Sequence, residues 1–232
     1  MVDLHVILPT YNEVGAIQSV LNEWKKELDK LKIKYRFVVS EDGSDDGTAE
    51  LLHIIERKYN LLLSQSKKRR GYGKAVLDGL HVSNSQYILC IDSDGQCDPL
   101  NFSIFWSNKN QSDVIIGWRT QRADSNQRKL FSSLFKLFFN FFFPNKIHDP
   151  SAPYVLFKRK TVMPYVSYLS KFNEGFWWGF IGMCTKKKLT VSEIKICHKP
   201  RLKGDTQIYK LNKIPEVAIR NIIEIIRLRF QK

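Results

Sequence analysis

Short apolar runs rich in Val, Ile or Leu recur through the first 118 residues, separated by stretches of helical period. The runs are Leu4–Leu8, Tyr35–Val39, Leu61–Leu63, Tyr87–Ile91 and Val114–Gly117. Runs this short and this rich in Val, Ile or Leu mark strands buried on both faces. Between them, Glu13–Lys30, Thr48–Tyr59, Tyr72–Ser83 and roughly Pro99–Asn110 place apolar residues at helical spacing; in the first, Ile17, Val20, Leu21, Trp24 and Leu28 share one face. This alternation narrows the chain to an α/β fold with a mostly parallel sheet and helices on both faces. In such sheets ligands bind beyond the carboxyl ends of the strands.

The residues following the runs are unusually acidic and glycine-rich. They read Pro9-Thr10-Tyr11-Asn12-Glu13, then Glu41 to Thr48 (EDGSDDGT), then Asp92 to Pro99 (DSDGQCDP), then Gly117-Trp118-Arg119. Against them stands a basic whole: 37 Lys and Arg face 23 Asp and Glu, a net charge of +14. That excess favours phosphate-bearing partners in general: nucleotides, nucleic acid or an anionic membrane. The basic runs lie in separate segments and no helix-turn-helix or RNP pattern occurs, so nucleic acid is not the expected partner. The four cysteines are too sparse for a disulfide scaffold and lack C-x2-C spacing, which predicts a reduced, intracellular chain. The opening MVDLHVILPTYNE has no basic n-region or long apolar run, so no signal peptide is expected.

Asp92-x-Asp94 beyond a buried strand fits a divalent cation, with Gln96 as a third oxygen; Mg2+ or Mn2+ takes few carboxylates plus phosphate oxygens and water. A plain Asp/Gly turn is the alternative. Glu41–Thr48 does not fit the EF-hand spacing and reads as a strand-to-helix turn that offers Asp42 to a ligand. Lys67 to Ala75 (KKRRGYGKA) is neither a P-loop nor a dinucleotide fingerprint, yet basic side chains before a glycine-flexible helix start suit an anion; a solvated basic loop is the alternative. Leu130–Phe143 (LFSSLFKLFFNFFF) has 14 residues, whereas crossing a bilayer takes about 20. As a helix it aligns Arg128, Ser132, Lys136 and Asn140 in one polar stripe among Leu and Phe, so it either docks at a membrane interface or packs in the core. The stripe offers Arg128 and Ser132 to a phosphate. Further on, Phe172–Thr185 reads as helix, Leu189–Cys197 as strand and Pro215–Phe230 as an amphipathic helix, while Arg201 before a glycine turn is placed to close over a diphosphate. No repeat or linker divides the chain.

In this order, the segments resemble glycosyltransferase family two, in particular its dolichol-phosphate mannose synthase-like, polyprenyl-phosphate sugar synthase branch. The resemblance rests on LPTYNE (8–13), EDGSDDGT (41–48), GYGKAVLDGL (71–80), IDSDGQCDP (91–99), GWR (117–119), HDPSAPYVLFKR (148–159) and EIKICHKPRLKGD (193–205), and so spans nearly the whole chain. Ala152-Pro153-Tyr154 departs from the Gly-Phe usual after the serine, and Glu41 replaces a more usual Asp.

The resemblance implies a single GT-A domain over 1–232, Rossmann-like, with 123–146 an apolar interfacial or acceptor helix region and 213–232 a C-terminal amphipathic helix. It further implies inverting transfer from a UDP- or GDP-sugar to a polyprenyl (dolichyl or undecaprenyl) phosphate, peripherally at the cytoplasmic face of a membrane. Pro9, Tyr11, Glu13, Asp42 and Lys74 would line the nucleotide-sugar site together with Asp92 and Arg201. Asp92, Asp94 and Gln96 would hold Mg2+ or Mn2+. Arg119, Arg128 and Ser132 would hold the acceptor phosphate, which makes Asp92, Asp94, Arg119, Arg128 and Arg201 the expected catalytic set. A glycan hydroxyl acceptor would instead call for a carboxylate base, for which Asp149 is the candidate.

Overall fold

The computed structural model describes residues 2–120, 126–201 and 214–231, with the backbone alone for 126–132 and 214–215. Its strands are β1 Leu4–Thr10, β2 Tyr35–Glu41, β3 Leu61–Gln65, β4 Tyr87–Cys90, β5 Val114–Arg119, β6 Val155–Lys158 and β7 Val191–Ile196. They form one sheet in the order β3-β2-β1-β4-β6-β5-β7. The pairs β1–β2, β1–β4, β2–β3 and β5–β7 are parallel, as the sequence predicts. In a sheet that is otherwise parallel, the strand β6, which is not among the expected strands, runs antiparallel between β4 and β5. Its four residues, Val-Leu-Phe-Lys, carry too little pattern to stand out from the surrounding HDPSAPY and KRK.

Alternating side chains of the sheet feed two cores, as the pleat requires. Leu4, Val6 and Leu8 of β1 pack with Trp24 of α1 (Ile17–Lys30), Leu52 of α2 (Thr48–Tyr59) and Phe105 of α4 (Phe102–Asn108). On the opposite face Ile7 packs with Val76 and Leu80 of α3 (Tyr72–Val82) and Phe139 of α5 (Asn126–Phe142). That core also takes Val162 of α6 (Arg159–Val162), Phe180 of α7 (Phe176–Lys186), and Ile225 and Leu228 of α8 (Ile214–Phe230). Removing any one of these large side chains would cost about 2–5 kcal/mol. Where α3 begins, Gly73 lies so close to the chain at 172–173 that a Cβ would fall 2.1 Å from the Phe172 carbonyl oxygen.

Two helices differ from expectation in ways that bear on the site. The first starts at Ile17, not Glu13, which leaves Glu13 in the loop after β1 with its N–H donated to Thr48 Oγ1 at 2.9 Å. The Pro99–Asn110 stretch divides into a 3-10 turn at Pro99–Asn101 and α4. Helix α5 packs partly into the core: Phe139 is buried, as is Phe143 just past its end, whereas Leu137 and Phe141 are 73% and 80% exposed. Helix α8 buries Val217, Asn221, Glu224, Ile225 and Leu228 and turns Ile219, Ile223, Ile226 and Phe230 outward. Among the described residues no helix is long and apolar enough to cross a membrane.

Candidate active site

The loops that follow β1, β2 and β4 converge on one cleft. It is lined by Pro9, Thr10, Tyr11, Glu13, Asp42, Arg69, Tyr72, Ala75, Asp92, Ser93, Asp94 and Arg201. Local hydrogen bonds explain how acidic loops hold together there. The Ser93 hydroxyl donates to the Pro9 carbonyl at 2.9 Å, and the Asp42 N–H donates to the Thr10 carbonyl at 2.9 Å. Glu41 accepts from the Ser44 N–H at 2.6 Å, so the unusual glutamate shapes its own turn. The Asp42 carboxylate accepts the backbone N–H groups of Arg70 at 2.9 Å and Gly71 at 2.7 Å, which docks the basic loop over the cleft. Burial raises the Asp42 pKa, and those two N–H groups oppose the rise. Gly71 takes φ +103°, a conformation that side-chain-bearing residues rarely adopt. Arg69 then lies 4.0 Å over the Tyr11 ring, a cation–π contact at the cleft wall.

At the floor, Asp92 Oδ1 accepts from the Tyr72 hydroxyl at 2.8 Å, and Asp94 Oδ1 accepts from the Gln96 N–H at 3.0 Å. Burial, then the neighbouring charge of Asp94, raises the Asp92 pKa; Tyr72, Arg119 and Arg201 counter it. Arg201 bridges Glu13 and Asp94, the latter at 3.5 Å. Among the described residues no group of three or more His, Cys, Asp or Glu forms a metal cage. Two hard-oxygen carboxylates crowded in a buried place nevertheless suit Mg2+ or Mn2+, which completes its shell with phosphate oxygens and water. Gln96 uses its side-chain amide on the Lys199 carbonyl at 3.3 Å and is not part of the cleft wall.

Glu13 carries a pH signature. Burial pushes its pKa up to about 7, partly offset by Arg201 and reinforced by Asp94, Asp92 and Asp46. Since the unperturbed carboxyl titrates near 4.5, stability supported by protonated Glu13 is complete below that pH and is lost as pH rises through about 7. Glu13→Gln is expected to flatten the fall in urea midpoint across this window; an unaltered slope would assign the fall to other groups.

Arg119 forms a second centre. Its Nε and Nη2 donate to the two oxygens of Asp149 at 2.7 and 2.9 Å, and Nη2 also donates to Ser151 Oγ at 2.9 Å. The Ser151 hydroxyl donates in turn to Asp149 at 2.9 Å. Burial alone would lower the Arg119 pKa, but Asp149 raises it overall, so the charge is fixed. Glu193 of β7 accepts the N–H groups of His148 at 2.8 Å and Asp149 at 3.0 Å and thereby sets this turn. With both oxygens engaged, Asp149 is poorly disposed to act as a base.

Of the residues nominated from sequence, Pro9, Tyr11, Glu13, Asp42, Asp92, Asp94 and Arg201 meet in the cleft. Lys74 does not: it lies outside the lining and donates to the Ser170 carbonyl at 2.9 Å. The backbone of Arg128 and Ser132 belongs to α5; their side chains lie outside the described residues. Lys136 of the same stripe donates to the His148 carbonyl at 2.9 Å, beside the Arg119 centre. Sequence reasoning missed Tyr72, Ser93 and Glu193, each of which sits inside a motif the sequence does single out, while Arg69 belongs to the basic run that the sequence reads as anion-binding.

Comparison with known proteins bears on the family and the fold. The profile of Glycosyl transferase family 2 matches residues 5–165. A dolichyl-phosphate beta-glucosyltransferase of Dictyostelium discoideum is 27% identical, over 98% of this chain and 74% of its own length. A dolichol-phosphate mannosyltransferase of Pyrococcus furiosus is 30% identical over 49% of this chain and 32% of its own. Among solved structures, mannosyl-3-phosphoglycerate synthase from Rubrobacter xylanophilus superposes with a TM-score of 0.74 at 16% identity, covering 99% of this chain and 75% of its own. Glucosyl-3-phosphoglycerate synthase from Mycobacterium tuberculosis, crystallised with Mn2+, UDP-glucose and phosphoglyceric acid, gives a TM-score of 0.70 at 14% identity over 98% of this chain and 79% of its own. These structural likenesses establish the GT-A fold.

Proposed function

The chain belongs to glycosyl transferase family 2, and from that premise we propose that it transfers a sugar from a UDP- or GDP-linked donor to a polyprenyl (dolichyl or undecaprenyl) phosphate, with inversion and with Mg2+ or Mn2+. The observation that carries the reading is the cleft, where Asp92, Asp94, Glu13, Asp42 and Arg201 meet at the strand ends. The dolichyl-phosphate and dolichol-phosphate transferases among the relatives support the acceptor class.

In this reading Pro9, Tyr11, Glu13 and Asp42 border the nucleotide, and Arg201 exchanges its carboxylate partners for the donor diphosphate. A cation held by Asp92 and Asp94 would offset the negative charge that builds on the departing nucleoside diphosphate. Arg119 lies near enough for its charge to act on Asp92, and Asp149 and Ser151 hold its guanidinium in one orientation. With Arg128 and Ser132 it would receive the acceptor phosphate. A phosphate monoester, whose second pKa is about 6, is already largely ionised near neutrality. It needs placement more than a base.

Membrane contact is part of the proposal. Helix α5 exposes Leu134, Leu137 and Phe141, and α8 exposes an isoleucine stripe while burying Asn221 and Glu224. Arg220, Arg227 and Arg229 flank that stripe in a chain of net charge +14. An apolar face edged by arginine suits a helix lying in an anionic interface. The four cysteines are free, which supports the cytoplasmic face.

The test is a donor and acceptor panel. Purified protein with Mn2+ or Mg2+ is given UDP-glucose, UDP-GlcNAc, UDP-galactose or GDP-mannose, with and without a short polyprenyl phosphate in anionic vesicles. Nucleoside diphosphate release that rises sharply with the lipid phosphate, from protein that pellets with the vesicles, is the expected result. Release indifferent to that lipid would overturn the acceptor assignment and point to a glycan hydroxyl.

A further inference from the structure

We infer that Tyr72 is a positioning residue for Asp92 and that Trp177, more than a hundred positions further along the chain, fixes its proton. The inference rests on the reading of Asp92 as a cation ligand. Asp92 lies just beyond the end of β4, in the loop that follows it. Its Oδ1 is held by the Tyr72 hydroxyl at 2.8 Å, and that same hydroxyl oxygen is met by the Trp177 indole Nε1 at 2.8 Å.

The direction of each bond follows from chemistry. An indole N–H only donates, so Trp177 takes a lone pair of the phenol oxygen. The single phenol hydrogen is then directed to Asp92. The clamp joins three elements: the loop after β4, the first residue of α3, and α7, which packs against α8. A ligating carboxylate left to solvent samples several orientations, whereas one hydrogen-bonded from rigid helices is preorganised. Removal of such outer partners typically weakens metal binding by about 10–100-fold.

The test reads cation binding directly. Mn2+ is titrated into the full chain in the presence of UDP and, in parallel, GDP, and free Mn2+ is followed by its EPR signal. Tyr72→Phe keeps the ring and removes only the hydroxyl; it is expected to weaken Mn2+ binding by about tenfold or more, with the Tm lowered by no more than a few degrees because the buried Trp177 N–H loses its acceptor. Trp177→Phe leaves the Tyr72 hydroxyl but releases its proton, and a smaller loss in the same direction is expected. Asp92→Asn is the control: Mn2+ affinity equal to that of the parent in this variant would refute the cation reading itself. If Asp92→Asn loses Mn2+ while Tyr72→Phe binds it as the parent does, the positioning role is overturned. Should Tyr72→Phe fold poorly, Trp177→Phe decides, and parental Mn2+ affinity in that variant also overturns the inference.

Discussion

Asp94→Ala is expected to fold normally and to release nucleoside diphosphate about 10²–10³-fold more slowly than the parent at saturating donor, the range seen when one preorganised charge-stabilising group is removed. Asp94 is almost fully buried, and the charge of its carboxylate raises the pKa of Asp92. Without it, that repulsion disappears, so folding loses little while the cleft loses half of its proposed cation ligands. Arg201 keeps Glu13 as its partner, which holds the cleft together in the variant. Activity and stability therefore separate. Turnover at the parental rate in the absence of added metal would sink the assignment of Asp92-x-Asp94.

The opposite pattern is expected at the second centre. Asp149→Ala leaves Arg119 with its charge buried and its two strongest hydrogen bonds gone. Breaking a buried pair from one side costs about 3–5 kcal/mol. For a chain of this length, where each kcal/mol moves Tm by roughly 2–4 °C, a fall on the order of 10 °C follows. Replacing both residues, as in Arg119→Met with Asp149→Leu, is expected to recover most of the Tm, because Arg119 is no longer a buried charge without Asp149. Transfer to lipid phosphate would not return with it. Equal Tm values for parent and Asp149→Ala would refute the argument.

Much of the sheet is legible in the sequence because its parallel strands are buried on both faces and so read as plain apolar runs. The ends are not. Expected strand ends at Leu8 and Val39 extend to Thr10 and Glu41, because Pro9 and Thr10 pair with Ser40 and Glu41 in the parallel register. Polar residues there are buried for the sake of the cleft, which inverts the usual pattern. The cleft itself is marked by residue order alone, through acidic loops beyond successive strands. Partners brought in from afar leave no such mark: Trp177 reaches Tyr72, and Glu193 reaches Asp149, across separations that no periodicity records. Lys74 is misplaced for the complementary reason. Its motif lies at the cleft, but the helical turn carries its side chain to Ser170.

The start of α3 also sets how this protein can diversify. A Cβ on Gly73 would meet the Phe172 carbonyl oxygen at 2.1 Å, and one on Gly71 would meet Asn173 at 2.2 Å. Gly73 tolerates no side chain without displacing the backbone beside the helix that carries Tyr72, and Gly71, at φ +103°, would be strained by one and would push the Asn173 side chain aside. Lys67 and Lys68, by contrast, are exposed and outside the cleft lining. Change in this loop is therefore most easily absorbed at Lys67 and Lys68, where it alters the surface charge and leaves the cleft wall in place.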